Sequence, residues 1–402
     1  MGFLQPHLLD VFLTYCGAGP NQVSPGVYEL IRSLIAAVLI FGFIMAAVLF
    51  LILGLRKYLG FLQSRVGPNR IGGPLGLGQT VMDAVKLMTK EDIVPLLADR
   101  LVFDLAPIMV FVPAFMVYVV IPWTPTGSPK DLDVGVIYIA AVTSIGVIGI
   151  IMAGWASNNK YSQLAAFRSA GQMISYEVPM VLAIVGPVIA AGTFSLQGIV
   201  LAQQHGPWFA LLLPVGFVVY MVSGLAETNL TPFDLVEAES ELIAGFATEY
   251  SGMKFALFYL AEFAANFTIG AIATTLFLGG WSMGPLPASW IWFLLKTCIV
   301  VMILFHLRGT LPRVRVDQLM DVGWKFLIPA GLFQLIIIAA YVTIGIPSWL
   351  MFVINAAVVL VLLGLGRMAG ILSGDTRQHI RDIRQHEQSR LQERTRRARA
   401  LI

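Results

Sequence analysis

The sequence predicts an all-α polytopic membrane protein with about nine transmembrane helices, on three observations. Charged residues make up only 12% of the 402, apolar ones 57%, and the mean hydropathy is +0.81. A globular core saturates well below that apolar content, and a soluble domain carries about twice that charge. The apolar residues gather into about nine stretches, each long enough to cross roughly 30 Å of hydrocarbon. The basic residues lie almost entirely on one side of them.

In chain order the stretches are 30–53, 101–122, 134–155, 173–192, 209–226, 255–279, 290–308, 326–345 and 348–366. An odd number places the termini on opposite sides. The segments 54–100, 156–172, 227–254, 309–325 and 367–402, with Arg308 at their edge, hold 23 of the 26 lysines and arginines. The opposite loops hold only Lys130. Basic loops stay inside, so the N-terminus is outside and the C-terminus cytoplasmic (on the matrix side, for a mitochondrial chain). No basic region precedes Asp10, so a cleaved signal peptide is not expected. The organisation is an outer N-terminal segment (1–29), a transmembrane domain (30–367) and a basic cytoplasmic tail (368–402). From Asp375 onward the tail has eight arginines against four acids, a composition suited to anionic lipid or an acidic partner. It contains no nucleic-acid module. Cys16, Cys298 and five scattered histidines cannot supply a four-ligand metal or iron–sulfur site. The missing internal repeat argues against a transporter built from duplicated halves.

The long, charged cytoplasmic segments are where chemistry is expected. The first carries Arg56, Lys57, Arg65 and Arg70, then the glycine-rich turn Gly67 to Pro74. Gln79 to Thr89 reads as an amphipathic helix along the interface, with Val81, Met82, Val85 and Met88 on its apolar face and Asp83 and Lys86 on its polar one. A loop that merely sets topology is the plainer reading. The third segment has six acids and one lysine: Glu227, Asp234, Glu237, Glu239, Glu241, Glu249 and Lys254. Thr231 reads as a helix cap with Pro232 at the first helical position. Asp234, Glu237 and Glu241 then share a face, with Glu239 apart. Half-buried, such acids raise one another's pKa values and share protons. A solvated acidic face is the alternative, which Leu242, Ile243, Phe246 and Tyr250 oppose.

Glu177 stands inside the fourth stretch and Glu262 inside the sixth, with Asn266 one turn on. Carboxylates within a membrane are costly and by default functional. Glu177, Glu227, Glu262 and the acidic stripe therefore read as a proton-exchanging chain from the cytoplasmic face toward mid-membrane. Glu29 and Asp104 lie near span ends, and Lys296 near the outer mouth of the seventh. In the fourth segment Asp317, Asp321 and Lys325 suggest a short helix with one i,i+4 pair. His306 reads as a packed or interface histidine without a neighbouring ligand, and Cys298 as a span filler.

Several runs together carry a resemblance. They are Arg65-Val66-Gly67-Pro68-Asn69-Arg70, Lys90-Glu91-Asp92, Ser157 to Ser162, Ser175-Tyr176-Glu177, and Ala226 to Asp234 with Glu237-Ala238-Glu239-Ser240-Glu241. Thr248 to Lys254, Pro312-Arg313 and Asp317 to Met320 complete the set. Over roughly residues 30–345 the chain resembles the quinone-cavity membrane subunit of respiratory complex I, the proton-pumping NADH:quinone oxidoreductase.

The resemblance implies a multi-pass subunit of the cell's inner (plasma) membrane, at the junction of membrane and peripheral arms. Quinone, the substrate, enters through it. The redox groups, iron–sulfur clusters and FMN, sit in partner subunits, and none is bound by this chain. The implied partners are quinone-site and cluster-bearing peripheral subunits, small membrane subunits, antiporter-like subunits and anionic lipids. Asp83, Glu177, Glu227, Asp234, Glu237, Glu239, Glu241, Glu249 and Glu262 fall on the family's acidic, proton-path positions. Arg56, Arg65, Lys86, Arg308 and Arg315 match basic positions in or near its quinone channel. Three residues depart from the pattern: Leu55 and Ser144 where the family has glutamates, and Val236 where it has proline. The first two keep open an equivalent junction subunit of a membrane-bound hydrogenase or other donor dehydrogenase. A stand-alone transporter is a more distant alternative.

Overall fold

Among the described residues, helices form where the apolar stretches lie, but several run well past them. In the computed structural model α1 spans Pro25–Leu62, 38 residues. At 1.5 Å per residue that is about 57 Å, nearly twice the hydrocarbon thickness, so the end bearing Arg56 and Lys57 projects beyond the predicted span. The model describes residues 25–73, 75–125, 130–204, 206–235, 244–282, 289–345 and 355. Helix α2 occupies Gln79–Thr89, the predicted interfacial helix. Its Val81, Met82, Val85 and Met88 are exposed, while Asp83 is half-buried. Then come α3 (Arg100–Met116), ending in a 3₁₀ turn at Val117–Val119, α4 (Gly135–Ala156) and α5 (Lys160–Ala191). The Asn159 side chain caps α5 by accepting from Tyr161 N at 3.0 Å. Helix α5 thus takes in most of the second cytoplasmic segment, read above as a loop.

After α6 (Leu196–Gln204) the fifth stretch departs from expectation. Instead of one span there are α7 (Phe209–Leu212) and α8 (Pro214–Glu227). Pro214 has no amide proton and disfavours helix at the residue before it, and Leu213 sits at φ −127° and ψ 56°. The 14 residues of α8 extend about 21 Å. The helix expected to start at Thr231 is also corrected. Residues 231–235 form a turn, the Thr231–Pro232 bond is cis, and Asp234 lies on no helix. Glu237, Glu239 and Glu241, like Val236, the stretch 348–366 apart from residue 355, and the tail, lie outside the described residues.

The bundle continues with α9 (Gly252–Phe277), α10 (Trp290–Thr310) and α11 (Val316–Asp321), then a π-helical stretch, Val322–Leu327, leading into α12 (Ile328–Ile344). The expected pair forms there: Lys325 Nζ lies 2.7 Å from Asp321. Seven helices among the described residues are long and apolar enough to cross a membrane, and no strand occurs among them. The chain divides into two units, Met1–Ile346 and Pro347–Ile402, and all twelve helices belong to the first.

Helix α9 is the axis of the bundle. Buried residues make up 67% of its apolar window, against 22% for α1. A helix apolar on every side belongs inside a bundle, and residues 266–277 are buried without a break. Small residues bring neighbours close, as is usual between membrane helices. A Cβ on Gly149 would lie 2.5 Å from Val110, and one on Gly270 would lie 2.8 Å from Val301. Beyond α9 the buried Lys296 donates to three carbonyl oxygens, of Leu278 (2.6 Å), Gly280 (3.1 Å) and Ser282 (2.5 Å). A cation there satisfies carbonyls left free at and just past a helix end. Lys296 is therefore a closing strut of the fold. His306 is exposed and bonded through Nδ1 to the Tyr58 hydroxyl at 2.7 Å. Cys298 is exposed and lines an open apolar groove with Tyr58, His306 and neighbouring α10 side chains.

Candidate functional site

Three helices each direct one glutamate at a partly open cavity of about 350 Å³. Glu177 comes from α5, Glu227 from the last residue of α8 and Glu262 from α9, about three turns in. Their distances along the chain gave no indication of this meeting. The rest of the wall is mostly apolar, from Val110 and Pro113 on α3, Ile139 and Thr143 on α4, and Phe255 and Phe258 on α9. Tyr220 and Tyr259 add hydroxyl-bearing rings. Among the described residues no lysine or arginine lines it.

The side chains around these acids hold them in place. Ser144 Oγ, on α4, donates to Glu177 Oε1. Gln172, buried on α5 one turn before Glu177, fastens the chain that follows α8. Its Nε2 faces Ala226 O (2.7 Å), Phe233 O (2.9 Å) and Asn229 Oδ1 (3.2 Å). Asn229 sits at φ +51°, a left-handed conformation that asparagine tolerates better than most residues. The Thr228 hydroxyl donates to Gly224 O at 3.1 Å. Glu227 is thus held from both sides of its peptide unit. Asn266 Nδ2 donates to the backbone oxygen of Glu262 at 3.0 Å.

The rim on the side expected to be cytoplasmic is built differently. Lys254, at the start of α9, reaches both Asp92 (2.7 Å) and Asp104 (2.6 Å) and stands over the Phe103 ring. Phe103 stacks on Tyr250 with centroids 4.0 Å apart. Burial, with the Asp104 charge adding to it, pushes the Tyr250 phenol above its ordinary range. Glu249 accepts from Asn159 Nδ2 at 2.7 Å, and Ser162 donates to Phe246 O at 3.0 Å. These bonds staple the end of the acidic segment to the start of α5. On the other flank Arg56 Nη1 meets Asp83 Oδ2 at 2.5 Å, and Gln79 Nε2 meets Asp83 Oδ1 at 3.1 Å.

The predicted residues therefore separate into groups. Glu177, Glu227 and Glu262 share the cavity. Glu249 belongs to the rim, and Asp83 pairs with a base. Asp234 lies in the turn after α8, its Oδ1 buried without a partner among the described residues. None of the predicted basic residues lines the cavity. Arg65, Lys86 and Arg315 are exposed, Arg308 is half-buried, and Arg65 Nε donates to Gln63 at 2.7 Å. Sequence reasoning did not assign Ser144, Gln172 or the Lys254 triad to the site. A hydroxyl inside an otherwise apolar stretch signals the first. The lone lysine of an acidic segment signals the last.

A family profile described as NADH dehydrogenase matches residues 35–339. The H subunit of the NADH-quinone oxidoreductase of Dehalococcoides mccartyi is 51% identical over 309 residues, covering 77% of this chain and 86% of the relative. Its counterpart in Bacillus thuringiensis subsp. konkukian is 48% identical over 307 residues, covering 75% and 92%.

Proposed function

The chain belongs to the NADH dehydrogenase family, as a membrane subunit of NADH-quinone oxidoreductase, and we propose that in this complex it forms the channel by which quinone enters and links quinone reduction to proton translocation. One observation carries the second half of that reading. Glu177, Glu227 and Glu262 come from three helices to one cavity without a lysine or arginine among the described residues of its wall. Acids so arranged exchange protons readily, because like charges sharing one site oppose full ionisation.

In this reading the redox groups sit in cluster- and flavin-bearing partner subunits, and reduction happens there. The quinone head approaches past Arg56, Arg65, Lys86, Arg308 and Arg315 on the cytoplasmic side. Charge gained at the quinone shifts the segment between Glu227 and Glu249, where Asp234, Glu237, Glu239 and Glu241 collect protons. Gln172 and the Asn159–Glu249 bond tie that segment to α5, so a displacement there reaches both Glu227 and Glu177. Protons then pass by way of Glu262 toward antiporter-like subunits. The complex lies in the plasma membrane, with this chain's C-terminus cytoplasmic and its arginine-rich tail against anionic lipid.

Glu177→Gln and Glu241→Gln in the assembled complex test the reading. NADH-driven quinone reduction is followed by absorbance and proton translocation by a pH-sensitive dye in inverted vesicles. Loss of translocation or turnover is expected. Normal values of both in both variants would remove the carboxylates from the mechanism.

A further inference from the structure

We infer that Ser144 is a positioning residue that holds Glu177 in both its protonation states by reversing the direction of the hydrogen bond between them. The inference deepens the proton-path reading above and rests on it. Ser144 Oγ lies within bonding reach of two acceptors, Glu177 Oε1 across the α4–α5 contact and Ala140 O one turn back on α4, at 2.9 Å. A serine hydroxyl carries one hydrogen and two lone pairs. It serves one of these acceptors at a time, and its oxygen remains able to accept.

Two arrangements follow. With Glu177 ionised, the Ser144 O–H points at the carboxylate. When a proton arrives from the cavity, an O–H bond forms on Glu177 and that hydrogen is donated to Ser144 Oγ. The serine hydrogen turns to Ala140 O, the back-bond that helix serines make. On release the Glu177 O–H bond breaks, the proton returns to the cavity and the serine hydrogen swings back. Ser144 stays neutral throughout, and no heavy atom need move. An alanine offers neither arrangement. The titratable groups that share the cavity with Glu177 are Glu227 and Tyr220 from α8 and Glu262 and Tyr259 from α9, and the cavity-lining residues of α3 and α4 include none. From α4, Ser144 is the side chain that bonds Glu177.

The test uses the assembled complex carrying Ser144→Ala, Ser144→Thr and Glu177→Gln. Infrared difference spectra identify the carboxylic acid band of Glu177 by its loss in Glu177→Gln, and inverted vesicles report translocation. Ser144→Ala is expected to shift that band and to slow translocation about tenfold, as loss of a hydrogen bond to a charged group does. Ser144→Thr, which keeps the hydroxyl, is expected to restore both. An unmoved band in Ser144→Ala, or Ala and Thr variants that behave alike, would overturn the inference. If the alanine variant does not assemble, Ser144→Cys, a weak donor of similar size, takes its place in the same comparison. Full translocation by Glu177→Gln would instead remove Glu177 from the proton path on which the inference rests.

Discussion

Acidic residues occur in two contrasting settings, and the contrast bears on the roles proposed for them. At the rim Asp92 and Asp104 share Lys254, and Asp83 meets Arg56. These carboxylates fasten loops to helices. Inside the bundle Glu177, Glu227 and Glu262 face one cavity whose described wall has no lysine or arginine. A carboxylate paired with a base is tied to that base, whereas the three in the cavity have no basic side chain in its described wall. In the reading proposed above, acids are structural where Lys254 binds them and proton-exchanging at Glu262, about two turns further along α9.

Breaking the rim gives the largest expected effect. Lys254 is 19% exposed and joins two acids from separate elements. Lys254→Met leaves Asp92 and Asp104 repelling each other beside the Phe103–Tyr250 stack. Removing one partner of a buried ion pair costs about 3–5 kcal/mol. These acids are half exposed, so about 2 kcal/mol is expected. A lower unfolding temperature of the complex, or less of it assembled, would register that. Unchanged assembly and unfolding would mean the rim pairs carry no structure.

Glu227→Gln sharpens the contrast from the other side. No rim pair is lost, so stability should change by less than about 1 kcal/mol. Translocation should fall by at least about tenfold, a loss of roughly 1.4 kcal/mol in the transition state. Unfolding and dye-based pumping measured on one preparation separate the two. A variant that unfolds early and still pumps would reverse the assignment of roles.

Much of this was legible in the sequence. Long apolar runs gave the α-helical class, and α2 matched its predicted limits because eleven residues of 3.6-residue periodicity leave little ambiguity. Glu177 and Glu262 stood out because a charge inside an apolar run needs a reason. Their meeting was not legible, since it depends on how α5, α8 and α9 cross. Pro214 could have warned of the break before α8. Hydropathy averages over a window and passed across it. The turn at Thr231 was misread because a threonine–proline pair opens a helix or a turn equally well, and the outcome depends on Gln172, some sixty residues earlier in the chain, holding Phe233 O.

The smallest expected effect concerns Arg56 and Asp83. The resemblance places a glutamate at Leu55 as the nearest counter-charge of the basic pair, but Leu55 is buried. Asp83, one helix away, meets Arg56 instead. Both side chains are about one-third exposed or more, so their coupling should be about 0.5 kcal/mol. A double-mutant cycle with Arg56→Ala and Asp83→Asn, read by unfolding of the complex, would measure it. Steady-state kinetics adds a separate readout. If Asp83 aims Arg56 at the approaching quinone, Asp83→Asn raises the quinone KM more than it lowers kcat. A zero coupling energy with an unchanged KM would mean that the α1–α2 contact orients nothing. The rim would then be structural only where Lys254 holds it.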